Sequence, residues 1–176
     1  MARLPYRGQL WIKAIIYATY LTETQRPACL NKGVNFAKSI SMKCTVLIVD
    51  DEIDIVEVVS ELLELQGFNT LKAHSVREAR ALLENEKIDL VISDVMMPEA
   101  PGTELRRFMH NNQRFQSIPI VFMTAFAPVS LGLSGHILGK PFDCDELLNL
   151  INNVLMAANR TPSIIQSHAR KGVHLH

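Results

Sequence analysis

The sequence predicts one α/β domain in which a parallel β-sheet carries helices on both faces. From Lys43 onward, short β-branched apolar runs alternate with longer segments whose apolar residues recur every three or four positions. The first pattern is typical of buried parallel strands, and the second of amphipathic helices. The chain has 176 residues, of which 48% are hydrophobic. This is enough to bury one core of ordinary size.

Five strands are expected, each flanked by polar or turn-forming residues. They are residues 45–49, 70–73, 88–93, 119–123 and 136–139.

Helices are expected to connect and follow these strands. The first spans residues 54–66, with Gly67 as a left-handed cap. The second begins at Ser75 and the last at Asp143, because each is followed three residues later by a glutamate, as in a capping box.

The third and fourth helices differ in how regular we expect them to be. The third covers residues 103–111. The fourth falls within 127–135, where one proline and two glycines allow only a shortened or irregular helix.

Three parts of the chain are expected: an N-terminal extension of residues 1–42, a domain of residues 43–158 that holds the alternating pattern, and a flexible tail of residues 159–176. Residues 43–159 hold nine Lys and Arg against seventeen Asp and Glu. Because a nucleic-acid surface is normally basic, direct DNA binding is not expected.

No membrane attachment or secretion is expected from the extension. Its apolar run, residues 10–21, is too short to span a bilayer and is interrupted by Lys13. Met42 is an alternative initiator, which leaves open whether residues 1–41 are translated. Three cysteines, Cys29, Cys44 and Cys144, have no metal-ligand spacing, which favours reduced thiols and a cytoplasmic location.

Five reactive side chains fall where strands are predicted to end. Asp50 and Asp51 follow the first strand, and Asp94, Thr124 and Lys140 follow the third, fourth and fifth. The carboxyl ends of parallel strands form one edge of a sheet, where ligands bind in α/β proteins. The sequence therefore predicts a polar site at this edge.

The residue types indicate the chemistry of that site. Three converging carboxylates repel each other unless a hard, oxygen-preferring cation such as Mg²⁺ lies between them. A lysine and a hydroxyl add donors suited to phosphoryl oxygens, and a carboxylate can act as nucleophile. Singly, each residue has an ordinary explanation, such as helix capping by Asp50 or Asp51. Together, they favour phosphoryl transfer to Asp94.

Four segments of the chain resemble the motifs of response-regulator receiver domains. They are Val46-Leu-Ile-Val-Asp-Asp-Glu52, Val91-Ile-Ser-Asp-Val-Met-Met-Pro98, Val121-Phe-Met-Thr-Ala125 and Gly139-Lys-Pro-Phe142. The resemblance covers about residues 43–158. It implies a flavodoxin-like, doubly wound sheet with strand order 2-1-3-4-5. A chemotaxis protein of this family is a standard example of that strand order.

The resemblance also implies the roles of the site residues. Asp94 would be the phosphoacceptor and would bind Mg²⁺, with Asp51 as a direct metal ligand and Asp50 acting through water. The backbone carbonyl of Met96 would be a further metal ligand.

Thr124 and Lys140 would contact the phosphoryl group. The phosphoryl donor would be a phosphohistidine of a sensor histidine kinase or phosphotransfer protein, and the signal would pass to a downstream protein target. Such a protein is a switch of two-component signalling and not an enzyme in the usual sense.

Three features depart from the family pattern. The spacing from Thr124 to Lys140 is shorter by about six residues, under two helical turns. Ile137 stands where an aromatic switch residue is usual, and Ala100 and Pro101 replace the usual Met-Asp. These departures put in doubt the family's usual output surface, which is formed by the fourth helix, the fifth strand and the fifth helix.

Other functions remain open at this level. The shortened fourth helix motivates one alternative, a receiver-like interaction module that works without phosphorylation. A stand-alone receiver is expected, with a receiver fragment of a hybrid histidine kinase as the alternative. A phosphatase of the haloacid-dehalogenase type fits poorly, because its two acids are separated by one residue whereas Asp50 and Asp51 are adjacent.

Overall fold

The computed structural model describes residues 44–125 and 135–160, and the side chains up to residue 158. Strands and helices alternate through this part of the chain. The strands are β1 (Thr45–Val49), β2 (Asn69–Ala73), β3 (Leu90–Asp94), β4 (Ile120–Thr124) and β5 (His136–Gly139). The helices are α1 (Ile53–Leu65), α2 (Val76–Asn85), α3 (Gly102–His110) and α4 (Cys144–Arg160).

The five strands form one parallel sheet in the order β2-β1-β3-β4-β5. This confirms the predicted fold class and strand order. The prediction of a shortened or irregular fourth helix, within 127–135, lies outside the described residues, as do the extension and almost all of the tail.

Two apolar clusters cover the two faces of the sheet. Since successive side chains of a strand point to opposite faces, Val46 and Ile48 pack on one side and Leu47 and Val49 on the other. The first cluster is completed by α1 and α4, and the second by α2 and α3. Because both faces of the central strands are buried, β1 and β3 read as nearly continuous apolar runs.

Local signals in the sequence set where the helices begin and end. Gly67 has a φ of 89° and donates its N–H to Glu64 O, which gives the predicted left-handed cap of α1. At α4, Asp143 and Glu146 each accept a hydrogen bond from the other's N–H, as a capping box requires.

At α2, Ser75 Oγ accepts from the Glu78 N–H, but the Glu78 carboxylate accepts from the N–H of His74. The return bond is therefore shifted by one residue. Within the described residues, no helix is both long enough and apolar enough to cross a membrane.

Candidate functional site

The sheet brings the predicted site residues to its carboxyl edge. Asp50 and Asp51 directly follow β1, and Asp94 is the last residue of the neighbouring β3. Thr124 ends β4, and Lys140 follows β5. The lysine is held beside β4 because its N–H donates to the Thr124 carbonyl at 2.6 Å.

One ammonium group joins the two buried carboxylates. Lys140 Nζ lies 2.9 Å from Asp50 Oδ2 and 2.7 Å from Asp94 Oδ1. The lysine side chain is 11% exposed, and those of Asp50 and Asp94 are 1% and 10% exposed. Two carboxylates can share this buried edge because a positive charge lies within hydrogen-bond distance of both.

The remaining carboxylate oxygens are held by the backbone. Asp94 Oδ2 accepts from the Met96 N–H at 2.5 Å. Asp50 Oδ1 accepts from the Glu52 N–H at 3.0 Å. Each carboxylate therefore has one oxygen fixed by its own following turn and one facing Lys140.

Burial and the shared ion pairs together set the pKa values of Asp50 and Lys140. Desolvation raises the pKa of Asp50 to about 6, although Lys140 opposes the rise. Burial alone would lower the pKa of Lys140, but the charges of Asp50 and Asp94 outweigh it and raise that pKa. Burial also raises the pKa of Asp51. Lys140 thus stays charged near neutral pH.

The predicted metal ligands are only partly gathered. Asp51 is exposed, and Met96 is 56% exposed. Over the described ranges, no group of three or more His, Cys, Asp or Glu side chains is placed to hold a metal ion. The donor set nevertheless fits a hard cation, because every donor is an oxygen and because Asp50 and Asp94 already share one positive charge.

Two residues that the sequence did not single out, Ser93 and Gly102, lie against the backbone carbonyl of Asp94. Ser93 is fully buried, and its hydroxyl donates to the Asp94 carbonyl at 2.9 Å. Gly102 begins α3 so close to this carbonyl that a Cβ there would lie 2.2 Å from Asp94 O. The sequence signals were a hydroxyl within an apolar strand and a glycine at a helix start, both of which are common.

The raised pKa of Asp50 predicts that the fold loses stability as the pH rises. The native state keeps the Asp50 proton up to a pH of about 6, whereas the unfolded chain releases it near the ordinary value of 3.8. Between these values the native state binds more protons, so the free energy of unfolding falls with rising pH, by up to about 3 kcal/mol.

The measurement is denaturant unfolding in EDTA from pH 4 to pH 7, for wild type and Asp50→Asn. The difference between the two proteins isolates Asp50 from the other carboxyl groups. A difference that stays constant over this range would contradict the assigned pKa.

Comparison with known proteins places the chain in a family. The model of the response regulator receiver domain matches residues 46–152. Response regulator Rre1 of Synechocystis is 37% identical over 118 residues, which cover 63% of this chain and 51% of Rre1. The chain spans about half the length of the curated relatives that it matches first.

Solved structures agree in fold. The chemotaxis response regulator CheY4 of Vibrio cholerae has a TM-score of 0.59 and 31% identity, covering 63% of this chain and 98% of CheY4. Response regulator TrrA of Thermotoga maritima, solved in complex with Mg²⁺-BeF, has a TM-score of 0.58 and 27% identity with the same coverage. Since the family model matches more than half of the chain, this protein belongs to the response regulator receiver domain family.

Proposed function

We propose that the domain is a phosphorylatable switch of two-component signalling, which accepts a phosphoryl group from a phosphohistidine onto Asp94 with the help of Mg²⁺. The observation that carries this proposal is the placement of Lys140 Nζ between the buried carboxylates of Asp50 and Asp94. An ammonium group beside a nucleophilic carboxylate lowers the repulsion that an approaching phosphoryl group meets.

In the proposed reaction, an Asp94 carboxylate oxygen attacks the phosphorus in line with the leaving imidazole. The P–N bond of the donor breaks as the P–O bond to Asp94 forms, and the electron pair stays on the imidazole. Lys140 donates to the phosphoryl oxygens, and the Thr124 hydroxyl is the second donor.

Asp51, Asp94 and the Met96 carbonyl would hold Mg²⁺ directly, with Asp50 acting through water. When bound, Mg²⁺ supplies positive charge to the transferring oxygens. The three carboxylates are not gathered into a metal-binding group as they stand. Support comes from the all-oxygen donor set and from the Mg²⁺-BeF complex of TrrA.

The proposed partners follow from the same chemistry. A sensor histidine kinase or a phosphotransfer protein would supply the phosphoryl group, and a downstream protein would read the phosphorylated form by direct contact. The described domain is not proposed to bind DNA, and a cytoplasmic location is proposed from the widely spaced cysteines, which have no disulfide or metal-ligand pattern.

The direct test is incubation with acetyl phosphate and Mg²⁺, followed by intact mass measurement. We expect one added phosphoryl group that is lost on mild alkaline treatment, as an acyl phosphate would be. A protein that stays unlabelled while remaining folded would favour the interaction module that works without phosphorylation.

Mg²⁺ is expected to stabilise the fold, because a ligand that binds only the native state raises the free energy of unfolding. At a Mg²⁺ concentration about 100 times the dissociation constant, the gain is about 2.7 kcal/mol. Asp51→Ala should lose most of this gain.

The measurement is denaturant unfolding with and without Mg²⁺. The matched control is Glu86→Ala, which removes an exposed acid after α2, at the opposite edge of the sheet. Equal Mg²⁺ stabilisation of wild type and Asp51→Ala would show that the metal site is wrong.

Residues 43–158 are proposed to be the domain, with residues 1–42 and 159–176 outside it, although α4 continues two residues further, to Arg160. Support comes from the part of the chain that the structure describes, where five strands form one sheet and an apolar cluster covers each of its faces. A chain that starts at Met42 should therefore fold and be labelled like the full chain. Loss of folding, seen by circular dichroism, would show that the extension packs on the core.

A further inference from the structure

The backbone of the turn that follows β3 is fixed by hydrogen bonds that take no part in the proposed reaction. Ser93 Oγ donates to the carbonyl of Asp94 at 2.9 Å. Asp94 lies one residue beyond Ser93, the last β3 residue paired with β1. The serine hydroxyl therefore fixes a peptide group at the point where the ladder to β1 ends.

The start of α3 fixes the next peptide group. The Gly102 N–H donates to Val95 O at 3.0 Å, and the Val95 N–H donates to Met123 O at 3.1 Å. The peptide groups on both sides of Val95 are thus tied to α3, to β4 and to the serine hydroxyl.

Only glycine allows α3 to approach so closely. A Cβ at position 102 would lie 2.2 Å from Asp94 O and 2.6 Å from Ser93 Oγ. Both are well inside van der Waals contact, so any side chain there would push α3 away from the turn or displace the Asp94 carbonyl.

We infer that Ser93 and Gly102 are positioning residues for Asp94: together they fix its backbone, and so the direction in which its carboxylate faces Lys140. The inference rests on the proposed phosphorylation of Asp94. The carboxylate has few other means of keeping its orientation, because it depends on the Met96 N–H of the same turn and on Lys140. A small tilt of the turn would move the reacting oxygen away from the line of attack.

The alternative is that Ser93 is merely a buried hydroxyl that satisfies itself locally. The chain offers a matched control for this, Ser60, which is also fully buried and hydrogen-bonded, to Thr70 at 2.6 Å. It lies in α1 beside β2, away from Asp94. Losing either hydroxyl should cost similar stability, so only the reaction separates the two roles.

The experiment measures the rate of phosphorylation by acetyl phosphate as a function of Mg²⁺ concentration, together with denaturant unfolding. Ser93→Ala is expected to lower the maximal rate about tenfold, with the Mg²⁺ concentration for half-maximal rate changed by less than about twofold. Ser60→Ala should be labelled at a rate within about twofold of wild type. Ser93→Thr, which keeps the hydroxyl, should recover most of the rate, and Gly102→Ala should lose more than Ser93→Ala.

The inference is overturned if Ser93→Ala reacts like wild type, or if Ser60→Ala loses as much rate as Ser93→Ala. Should Ser93→Ala fail to fold, Ser93→Cys replaces it, because a thiol keeps the volume but is a weak donor. It is then expected to show the same loss of rate. Labelling of wild type with no effect at Ser93 defeats this inference alone, whereas an unlabelled wild type defeats the proposed function and the inference with it.

Discussion

Asp94→Asn is expected to abolish labelling by acetyl phosphate while the domain stays folded. An amide has nearly the same shape as the carboxylate, and its oxygen can still accept from the Met96 N–H. It is not a carboxylate nucleophile, however, so no acyl phosphate can form. Intact mass spectrometry should show no phosphoryl group on the variant under conditions that label wild type fully.

The matched control is Asp89→Asn, because Asp89 immediately precedes β3, at the end of the strand opposite to Asp94. Its carboxylate accepts from the Thr45 N–H at 2.8 Å, a bond that the amide oxygen can keep. This variant should be labelled like wild type. Undiminished labelling of Asp94→Asn at an acid-stable site would refute the assignment of Asp94.

Lys140→Met is expected to cause the largest loss of stability among single changes at the site. It keeps most of the apolar stem but leaves the buried carboxylates of Asp50 and Asp94 without their shared positive charge. Removing one partner of a buried ion pair costs about 3–5 kcal/mol. Denaturant unfolding in EDTA at pH 7 measures this cost, and labelling should fall by about a hundredfold or more.

Lys72→Met provides the control, because Lys72 Nζ pairs with Glu57 Oε2 at 2.6 Å with side chains 34% and 48% exposed. An exposed pair of this kind contributes less than about 1 kcal/mol. Similar losses for the two variants would show that the Lys140 contacts do not carry the stability assigned to them. The cost of Lys140→Met should also shrink toward pH 5, where Asp50 takes up a proton.

The strands were predictable because their apolar runs are bounded by polar residues. Residues 45–49 and 136–139 were predicted with the bounds that β1 and β5 have. The strands predicted at residues 88–93 and 119–123 begin before β3 and β4 do, by two residues and one residue, and each stops one residue early. Asp94 and Thr124 are polar but still pair with Met123 and Gly139. Strand pairing therefore continues one residue beyond the apolar run.

At the candidate site, the sequence predicted which residues reach the sheet edge but not how they pair. Residue order places Asp50, Asp94 and Lys140 at strand ends, but only the strand order β1-β3-β4-β5 and the side-chain rotamers bring one ammonium group onto both carboxylates. The exposure of Asp51 and the close approach of Gly102 are likewise properties of the packed fold. No local pattern carries this information.

One backbone hydrogen bond links Thr124 and Lys140, the two residues proposed to bind the phosphoryl group. β5 is four residues long, lies at the edge of the sheet and pairs with β4 alone in the described sheet. Lys140 leaves it immediately after a hydrogen bond from its own N–H to the Thr124 carbonyl. The position of the lysine backbone therefore depends on the end of β4, a strand that is itself buried and paired with β3. A change in the β4 backbone at Thr124 would thus be transmitted to Lys140 through this one hydrogen bond.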